Sequence, residues 1–367
     1  MNLVPNRLRE WSQAHRERTA ELGRRLRDKY ARLFWALHSA WALITGIGVL
    51  VLAHNRYGFL RWVVLFIALT WGSTLFFARF AAPESSRAMR FAQGVVSYLT
   101  RVMYQETLFF LIPFYFYSAT FPSWNFLYLL LLAGLAVLSC FDLLFDRFLR
   151  ESKPFALAFF AFVSFSALQF FLPLLLRVRV DYAAYLAAGV AFIAAGALAH
   201  TWTDLRLRWR LVLLAVGLVA ALAVVRLIRP VLPPVPLRMT RLTYAGAVDR
   251  HTLKTPGDFR GTIPIEQLRT GRLCAVATIF SPEAIPARIQ IRFLDRDGKV
   301  LRESRTPNLN ATPRGFRVWD CLPGGKKGFA PVSYRAEVWT GEGQLLGRGD
   351  IRIVSEAAAQ APAPLTP

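Results

Sequence analysis

The 367-residue chain lacks the short motifs by which most enzyme sites are recognised. It has no glycine-rich phosphate loop, no nucleophile elbow, no His-Glu-x-x-His and no Cys-x-x-Cys. His38, His54 and His200 are scattered near the ends of apolar runs, without the spacing of a metal site. These absences favour a protein that is not an enzyme, and we expect no catalytic residue, no cofactor and no bound metal.

Acidic residues are also scarce, with 23 Asp and Glu against 45 Lys and Arg, a formal net charge of +22. Such a balance is typical of nucleic-acid-binding proteins. However, the chain shows no basic helix-turn-helix, no stacking platform of aromatic residues and no zinc spacing. We therefore expect no nucleic-acid partner, and we look for another cause of the positive charge.

Long apolar runs supply that cause. They occupy residues 33–228, whereas residues 239–354 alternate like a soluble domain. A helix needs about 20 apolar residues to cross a bilayer. The runs predict a membrane all-α bundle of seven transmembrane helices at 33–54, 59–80, 91–119, 124–144, 154–176, 181–200 and 209–228. The sixth is rich in Ala and Gly, which favours close packing inside the bundle, with a dimer face as the alternative.

Basic residues collect on one side of these runs. The N-terminal segment carries nine Lys and Arg residues, and the loops predicted on the same side carry eight. The loops on the opposite side carry four. Because cytoplasmic loops are enriched in Lys and Arg, the N-terminus is predicted to be cytoplasmic. An odd number of spans then places the C-terminal region outside. Residues 1–32 read as a basic amphipathic helix on the cytoplasmic leaflet, or as a docking helix for a partner, with no cleavable signal peptide.

Ionisable and polar residues inside the apolar runs form the candidate intramembrane site. They are costly in hydrocarbon and usually face a partner or a cavity. Arg101 and Asp142 are predicted at similar depth on adjacent helices, where they could pair. Glu106 lies near mid-bilayer, and Gln169 is a further candidate for a pocket with it. Either these residues pin the helices together, or Glu106 is the centre of a proton- or ligand-linked site.

A second intramembrane possibility involves Asp142 and Asp146, which are four residues apart at a helix end. They could hold a divalent cation with a lipid phosphate, in an enzyme that acts on lipid. Alternatively, they are interfacial charges paired with nearby arginines.

The C-terminal half changes character at a proline-rich linker, residues 229–238. Its four prolines cannot continue a helix, and we expect an extended spacer that holds the next domain roughly 20 Å from the last span. Residues 239–354 show period-two strands and turn signals such as Asp297-Gly298, which predict an all-β, immunoglobulin-like sandwich. Residues 355–367 are rich in Ala and Pro, which predicts a disordered tail.

The three cysteines bear on the compartment. Cys140 lies alone in the fourth span, where buried packing is expected. Cys274 and Cys321 both fall on predicted strands of the β domain. In an oxidising compartment they could close a loop of roughly 48 residues, worth about 4 kcal/mol, or they could remain two buried thiols.

Two blocks of sequence resemble a known kind of protein. The segment from Ile291 to Val354, with FLDRDGKVL, FRVWDC and YRAEVWTGEGQLLG, is similar to a small bacterial C-terminal domain of unknown function that follows a multi-pass membrane segment. The stretch ETLFFLIPFYFYSAT…SCFDLLFDR is similar to the membrane part of such proteins. The resemblance implies a bacterial inner-membrane protein with a periplasmic C-terminal domain. It implies no catalytic residue.

The sequence thus predicts a transmembrane anchor that presents a periplasmic β-sandwich to an envelope partner. The 20 Lys and Arg from Arg238 to Arg352, against 11 acidic residues, favour an acidic protein, an acidic glycan or a lipid headgroup. A transporter or lipid-handling protein built around Glu106 is the alternative, although no inverted repeat supports it. The sequence leaves the ligand and the oligomeric state open.

Overall fold

The computed structural model describes residues 87–141, 145, 148, 151–199, 208–249, 254–268, 271–304, 308–311, 315–325 and 328–355, with five isolated positions between 37 and 48. For residues 87–101, 208 and 308–311 it describes the backbone alone. Five helices come first: α1 Arg87–Ser118, α2 Asn125–Cys140, α3 Lys153–Leu176, α4 Val180–Ala199 and α5 Arg208–Ile228. The strands follow them, so the change from period 3.6 to period 2 in the sequence marks a real change of structure.

The described part of the chain holds five helices rather than the seven predicted spans. The predicted spans 33–54 and 59–80 lie outside the described residues apart from the isolated positions, as do residues 1–32 and almost all of the predicted tail. Three helical segments are long and apolar enough to cross a membrane: Lys153–Leu176, Val180–Ala199 and Trp209–Val231. Helix α2 is apolar but has only 16 residues, and α1 extends over 32.

Aromatic side chains form the core of the helical bundle between α1 and α3. The rings of Phe114 and Phe170 lie 4.5 Å apart at their centroids, and those of Phe110 and Phe171 lie 6.2 Å apart in a stacked arrangement. Helix α4 buries small residues and contacts α3, as its composition predicted for packing within the chain. At Gly217 of α5, an added Cβ would lie 2.7 Å from the ring of Phe192 in α4, so glycine is what permits this close approach.

The second half of the described chain is a β-sandwich. Its strands are β1 Arg238–Ala245, β2 Gly261–Pro264, β3 Arg272–Phe280, β4 Ile285–Leu294, β5 Val300–Glu303, β6 Asn308–Ala311, β7 Phe316–Pro323, β8 Ser333–Thr340 and β9 Leu345–Val354. One sheet has the order β1-β3-β7, the other has β2-β9-β8-β4-β5, and β6 pairs with β4. Buried residues of both sheets form one core, because alternating side chains of each sheet point inward.

The strand and turn pattern of the sequence predicted β3, β4, β5, β7, β8 and β9, and the turn at Asp297-Gly298 lies between β4 and β5 as expected. Gly298 has a φ of +80°, a left-handed conformation that glycine adopts without steric cost. The short strand β2 was not predicted. It pairs parallel to β9, from Gly261 opposite Ile351 to Pro264 opposite Val354, and four residues are too few for a period to be read.

Tyr244 ties the two sheets together. Its hydroxyl donates to the carbonyl of Gly349 in β9 and accepts from the backbone N–H of Ala336 in β8 at 3.1 Å. Burial raises the pKa of the Tyr244 hydroxyl above its ordinary value of 10, since the ionised form would lose its hydration. The side chain therefore stays neutral and serves as a fixed cross-link between the sheets.

The proline-rich linker is not a spacer. Residues 232–237 are buried, with Leu232 and Val235 in the core of the helical bundle and Leu237 in the core of the sandwich. The two cores interlock further, because Val180 of α4 joins the sandwich core and Ile285 of β4 joins the bundle core. Apolar side chains in the linker explain the difference. The prolines prevent an α-helix, and Arg229–Val231 form a short 3₁₀ turn, while Val231, Leu232, Val235 and Leu237 drive the segment to pack rather than to extend.

The register of the strands gives the sandwich a helix-facing end and a far end. The β8–β9 turn, the start of β4 and the start of β1 all contact the helices or the linker. Tyr334 lies six residues from Thr340 along β8, which is about 20 Å at the rise of an extended strand. The far end therefore projects roughly that distance beyond the ends of the helices.

Candidate functional site

Gln169, one of the residues of the predicted intramembrane site, has hydrogen-bond partners at both ends of its amide group. Gln169 is fully buried in α3, where its amide N–H donates to the carbonyl of Pro233 at 3.1 Å and its oxygen accepts from the hydroxyl of Tyr115 at 3.2 Å. Tyr115 lies nine residues beyond Glu106 on α1, which is about 13 Å along a helix. Gln169 therefore belongs to a network nearer the linker, and its predicted pocket with Glu106 stays a prediction.

The other members of the predicted site are described less fully. Glu106 is half-buried in α1. The side chain of Arg101 lies outside the described residues, as does Asp142, so their predicted pairing stays a prediction. Asp146 likewise lies outside the described part, and among the described residues no group of three or more His, Cys, Asp or Glu could hold a metal.

Around Gln169 lies a buried network of hydroxyl and amide groups. Tyr115 donates to the backbone carbonyl of Ser166 at 2.9 Å, and the hydroxyls of Tyr128 and Ser166 lie 2.6 Å apart. This network joins α1, α2 and α3, and through Gln169 it holds the linker. Buried polar groups that find partners stabilise one packing arrangement, so this cluster orders the bundle and leaves Gln169 engaged at both ends.

A second set of polar contacts holds the sandwich against the helices; we call it the junction, formed by Asn125, Asp181, Arg229, Glu342 and Gln344. Arg229 follows α5 and is 2% exposed. It reaches the carboxylate of Glu342 in the β8–β9 turn at 3.0 Å and the backbone carbonyl of Asp181 at 3.2 Å. Its guanidinium also lies 4.6 Å from the ring centroid of Tyr185.

Amide side chains complete the junction. Asn125 at the start of α2 donates to the carbonyl of Leu345 at 2.9 Å, and Gln344 donates to the carbonyl of Leu232 at 3.2 Å. Arg348 of β9 donates to the carbonyl of Pro122 between α1 and α2. Each of these bonds crosses between helices or linker and sandwich. They fix the orientation of the sandwich, because the buried carbonyls of Leu345 and Leu232 would otherwise lose a hydrogen-bond partner.

The two sheets part at the far end and leave an open cavity of about 350 Å³. We call it the far cleft; its lining includes Leu301, Arg302, Leu322, Gly328, Phe329 and Tyr334. Arg302 of β5 forms a two-bond ion pair with Asp320 of β7, at 3.0 and 3.3 Å, which bridges the sheets. The rings of Phe329 and Tyr334 stand perpendicular, 5.9 Å apart.

Glycines shape this cleft. A Cβ added at Gly324 would lie 3.1 Å from the ring of Phe329, so glycine allows that ring to rest against the backbone. Gly325 and Gly328 bridge each other, and Gly328 has a φ of +78°. Sequence reasoning did not identify this site. The run Gly324-Gly325-Lys326-Lys327-Gly328 is the signal that could have pointed to it, since glycines flank two lysines at the end of a strand.

Near the far cleft, Cys274 of β3 lies opposite Cys321 of β7 in the register, and the two sulfur atoms are bonded in the structure. Cys321 directly precedes Leu322, which lines the cleft. The bond therefore joins two adjacent strands of one sheet beside the cleft, rather than the two sheets.

Comparison with known proteins adds little about activity. No curated protein matches the chain. Among solved structures it is similar to an immunoglobulin-like protein from Pseudomonas aeruginosa, at 11% identity and a TM-score of 0.23, over 32% of this chain and 96% of that one. It is also similar to an alkylpurine DNA glycosylase from Pseudomonas fluorescens bound to DNA with an abasic-site analogue, at 11% identity and a TM-score of 0.22, over 79% and 97%. TM-scores of this size leave the fold to be judged from the strands themselves.

A family profile matches a much larger continuous part of the sequence, residues 16–275. The matched segment runs through the helices and the buried linker to Cys274 in β3, and so includes Asn125, Asp181 and Arg229 of the junction. Since this match covers well over half of the 367 residues, the chain belongs to the DUF5924 family, a family of unknown function.

Proposed function

We propose that the protein is a membrane-anchored binding module of the bacterial cell envelope. The helices fix it in the inner membrane, and the sandwich presents the far cleft to an envelope component. The observation that carries this proposal is the junction: the sandwich is locked onto the helix ends by buried contacts. Its far end therefore stands at a set height above the bilayer, instead of moving on a tether.

The charge of the loops supports a periplasmic sandwich. The ends of α1, α3 and α5 face the sandwich, together with the loop around Phe121 and the loop that holds Arg177 and Arg179. The sequence between α2 and α3 and between α4 and α5 carries more basic residues, including Arg147, Arg150 and Arg206. Under the positive-inside rule, that other side is cytoplasmic. This orientation agrees with seven spans and a cytoplasmic N-terminus.

The disulfide supports the same orientation. Bonds between cysteines persist in the periplasm and are rare in the cytosol, where thiols are kept reduced. A single cysteine at Thr240, an exposed position, tests the orientation in a chain whose three native cysteines are replaced by serine. We expect a thiol reagent that does not cross the membrane to label this cysteine in intact cells. Labelling only after lysis would place the sandwich in the cytosol.

The sandwich also supports an immunoglobulin-like assignment as part of this proposal. Two sheets enclose one core, and Tyr244 joins them through hydrogen bonds to the backbone of β8 and β9. The disulfide departs from the antibody pattern, because it links neighbouring strands of one sheet.

Site-specific photo-crosslinking tests the binding function in living cells. A photoreactive residue is placed at Leu301, which lies in the far cleft, and in a second strain at Thr240 near the helix-facing end. We expect a crosslinked envelope product from Leu301 that disappears with Arg302→Gln, and no such product from Thr240. Equal products from both positions, or a Leu301 product that ignores Arg302→Gln, would overturn the proposal.

No observation on the described residues favours the transporter alternative. The amide group of Gln169 is engaged with Tyr115 and the linker. We therefore base the proposed function on the sandwich.

A further inference from the structure

The residues that line the far cleft indicate a class of ligand, and this inference rests on the proposed function. The cavity of about 350 Å³ has the size of small-ligand sites, which run from about 300 to 1,000 Å³. Stable protein interfaces bury at least about 1,000 Å² and are broader than such a cavity. The dimensions therefore favour one small chemical group, presented alone or as part of a longer chain.

The cleft offers a positive charge that remains partly free to bind. The side chain of Arg302 is 43% exposed, and its two bonds to Asp320 use Nε and one terminal nitrogen. A guanidinium has five N–H donors, so the second terminal nitrogen keeps donors for another acceptor. Arg272 of β3, opposite Pro323 in the register, is also exposed. These two arginines against Asp320 favour an anionic ligand.

The wall of the cleft favours a ligand with an apolar face as well. Phe329 and Tyr334 contribute perpendicular rings, and Leu322 adds an aliphatic surface. Aromatic faces carry partial negative charge and attract polarised C–H groups. A free inorganic anion would use only the arginine, whereas a sugar ring uses both features: its C–H face packs on the aromatic wall, and its acidic substituent meets Arg302.

The height of the far cleft above the helix ends excludes the lipid headgroups of the protein's own membrane as its ligand. The far cleft lies roughly 20 Å beyond the helix ends, by the rise of β8 from Thr340 to Tyr334. We propose that the far cleft binds a sugar unit that carries a carboxylate, as part of an acidic polysaccharide or glycan of the envelope.

Binding to the full-length protein in detergent micelles tests the ligand class. The acidic probe is a tetrasaccharide of alternating glucuronic acid and N-acetylglucosamine, the neutral probe is the N-acetylglucosamine tetramer, and a third probe is acetyl-alanyl-alanine with a free carboxylate. By isothermal titration calorimetry, we expect the acidic tetrasaccharide to bind at least about tenfold more tightly than the other two. Its affinity decreases as salt rises, because an exposed charge pair is screened.

Matched variants locate the binding. Arg302→Gln is expected to weaken the acidic tetrasaccharide about tenfold, and Tyr334→Leu, which keeps the volume apolar, to weaken both saccharides. Arg335→Gln is the control, because Arg335 makes a similar two-bond pair with Asp350 on neighbouring strands but does not line the cleft. Folding of each variant is checked by the Cys274–Cys321 disulfide, measured with a thiol reagent.

The outcomes separate this inference from the proposed function. Equal affinity for both saccharides, unchanged affinity in Arg302→Gln, or binding of the dipeptide alone would each overturn the acidic-sugar assignment. If the saccharides do not bind while the Leu301 crosslink still depends on Arg302, the ligand class is wrong and the binding module remains. If that crosslink is also absent, both proposals are wrong.

Discussion

Two arginine–carboxylate pairs at opposite ends of the sandwich show how burial of the arginine determines the role of an ion pair. At the junction, Arg229 is 2% exposed and pairs with Glu342 while it also bonds a carbonyl and covers a tyrosine ring. At the far cleft, Arg302 is 43% exposed and pairs with Asp320 alone among the described residues. The first guanidinium is held by the fold, and the second keeps donors toward solvent.

The difference follows from the cost of leaving a charge unpaired. Removing one partner of a buried pair leaves the other charge without hydration, whereas exposed pairs contribute at most about 1 kcal/mol. The junction pair therefore stabilises the orientation of the sandwich. At the cleft, the carboxylate of Asp320 is 15% exposed, so Arg302 stays paired with it and offers its remaining donors to a ligand.

The largest expected loss of stability follows removal of the disulfide, which lies at the far end of the sandwich. Replacing Cys274 and Cys321 together by serine is expected to lower the free energy of unfolding of the sandwich by about 4 kcal/mol, since the unfolded chain regains a loop closed over 47 residues. Thermal unfolding of the full-length protein measures this, with Cys140→Ser as the control. Hydrogen exchange should increase at the cleft and stay unchanged at the junction. Increased exchange at the junction alone would contradict the expectation that the disulfide stabilises the far end of the sandwich and not the junction.

Arg229→Gln is the corresponding change at the junction. We expect a loss of about 3 kcal/mol, because the buried carbonyl of Asp181 loses its donor and Glu342 keeps only Arg179, at 3.6 Å, of its two arginine partners. Hydrogen exchange should rise in the linker and in the β8–β9 turn. Arg335→Gln is the control, as it breaks a pair in which both side chains are exposed, and it should shift the unfolding temperature little. Equal losses of stability in Arg229→Gln and Arg335→Gln would show that burial of the arginine does not determine the size of the effect.

A smaller effect is expected between the two ends, where Tyr244 joins the sheets. Tyr244→Phe leaves the carbonyl of Gly349 and the N–H of Ala336 without their partner, a loss of about 2 kcal/mol. Tyr334→Phe is the control, because that hydroxyl has no hydrogen-bond partner among the described residues.

The same variant gives a test by pH. Burial raises the pKa of Tyr244 in the folded state, so its stabilisation is complete below the unfolded pKa near 10 and is lost as the pH rises above it. The difference in unfolding temperature between wild type and Tyr244→Phe should therefore shrink above pH 10. A difference that grows with pH would contradict this assignment.

Glu106→Gln should have the smallest effect of all. The substitution preserves the shape of the side chain, and Glu106 belongs to neither the junction nor the cleft. We expect the Leu301 crosslink and the unfolding temperature to stay near their wild-type values. If cells that carry Glu106→Gln show the phenotype of a deletion strain while the Leu301 crosslink persists, the transporter alternative regains support.

Much of the architecture was readable from local pattern. Alternation predicted β4 and β8 because each strand faces a core on one side, and long apolar runs predicted the positions of α3, α4 and α5. The linker was misread for a physical reason. Proline restricts the backbone locally, and this restriction is visible in the sequence. Whether Leu232 and Val235 face water or a core depends on surfaces supplied by other parts of the chain.

The sequence by itself determined that apolar helices precede a β-sandwich, because hydrophobic period and turn chemistry are local properties. Only the tertiary structure decided which polar residues meet. Gln169 donates to the carbonyl of Pro233 in the linker, and Arg229 pairs with Glu342, which lies more than a hundred residues further along the chain. Contacts of that range depend on the relative placement of helices and strands, and the periodicity of a single chain does not carry that information.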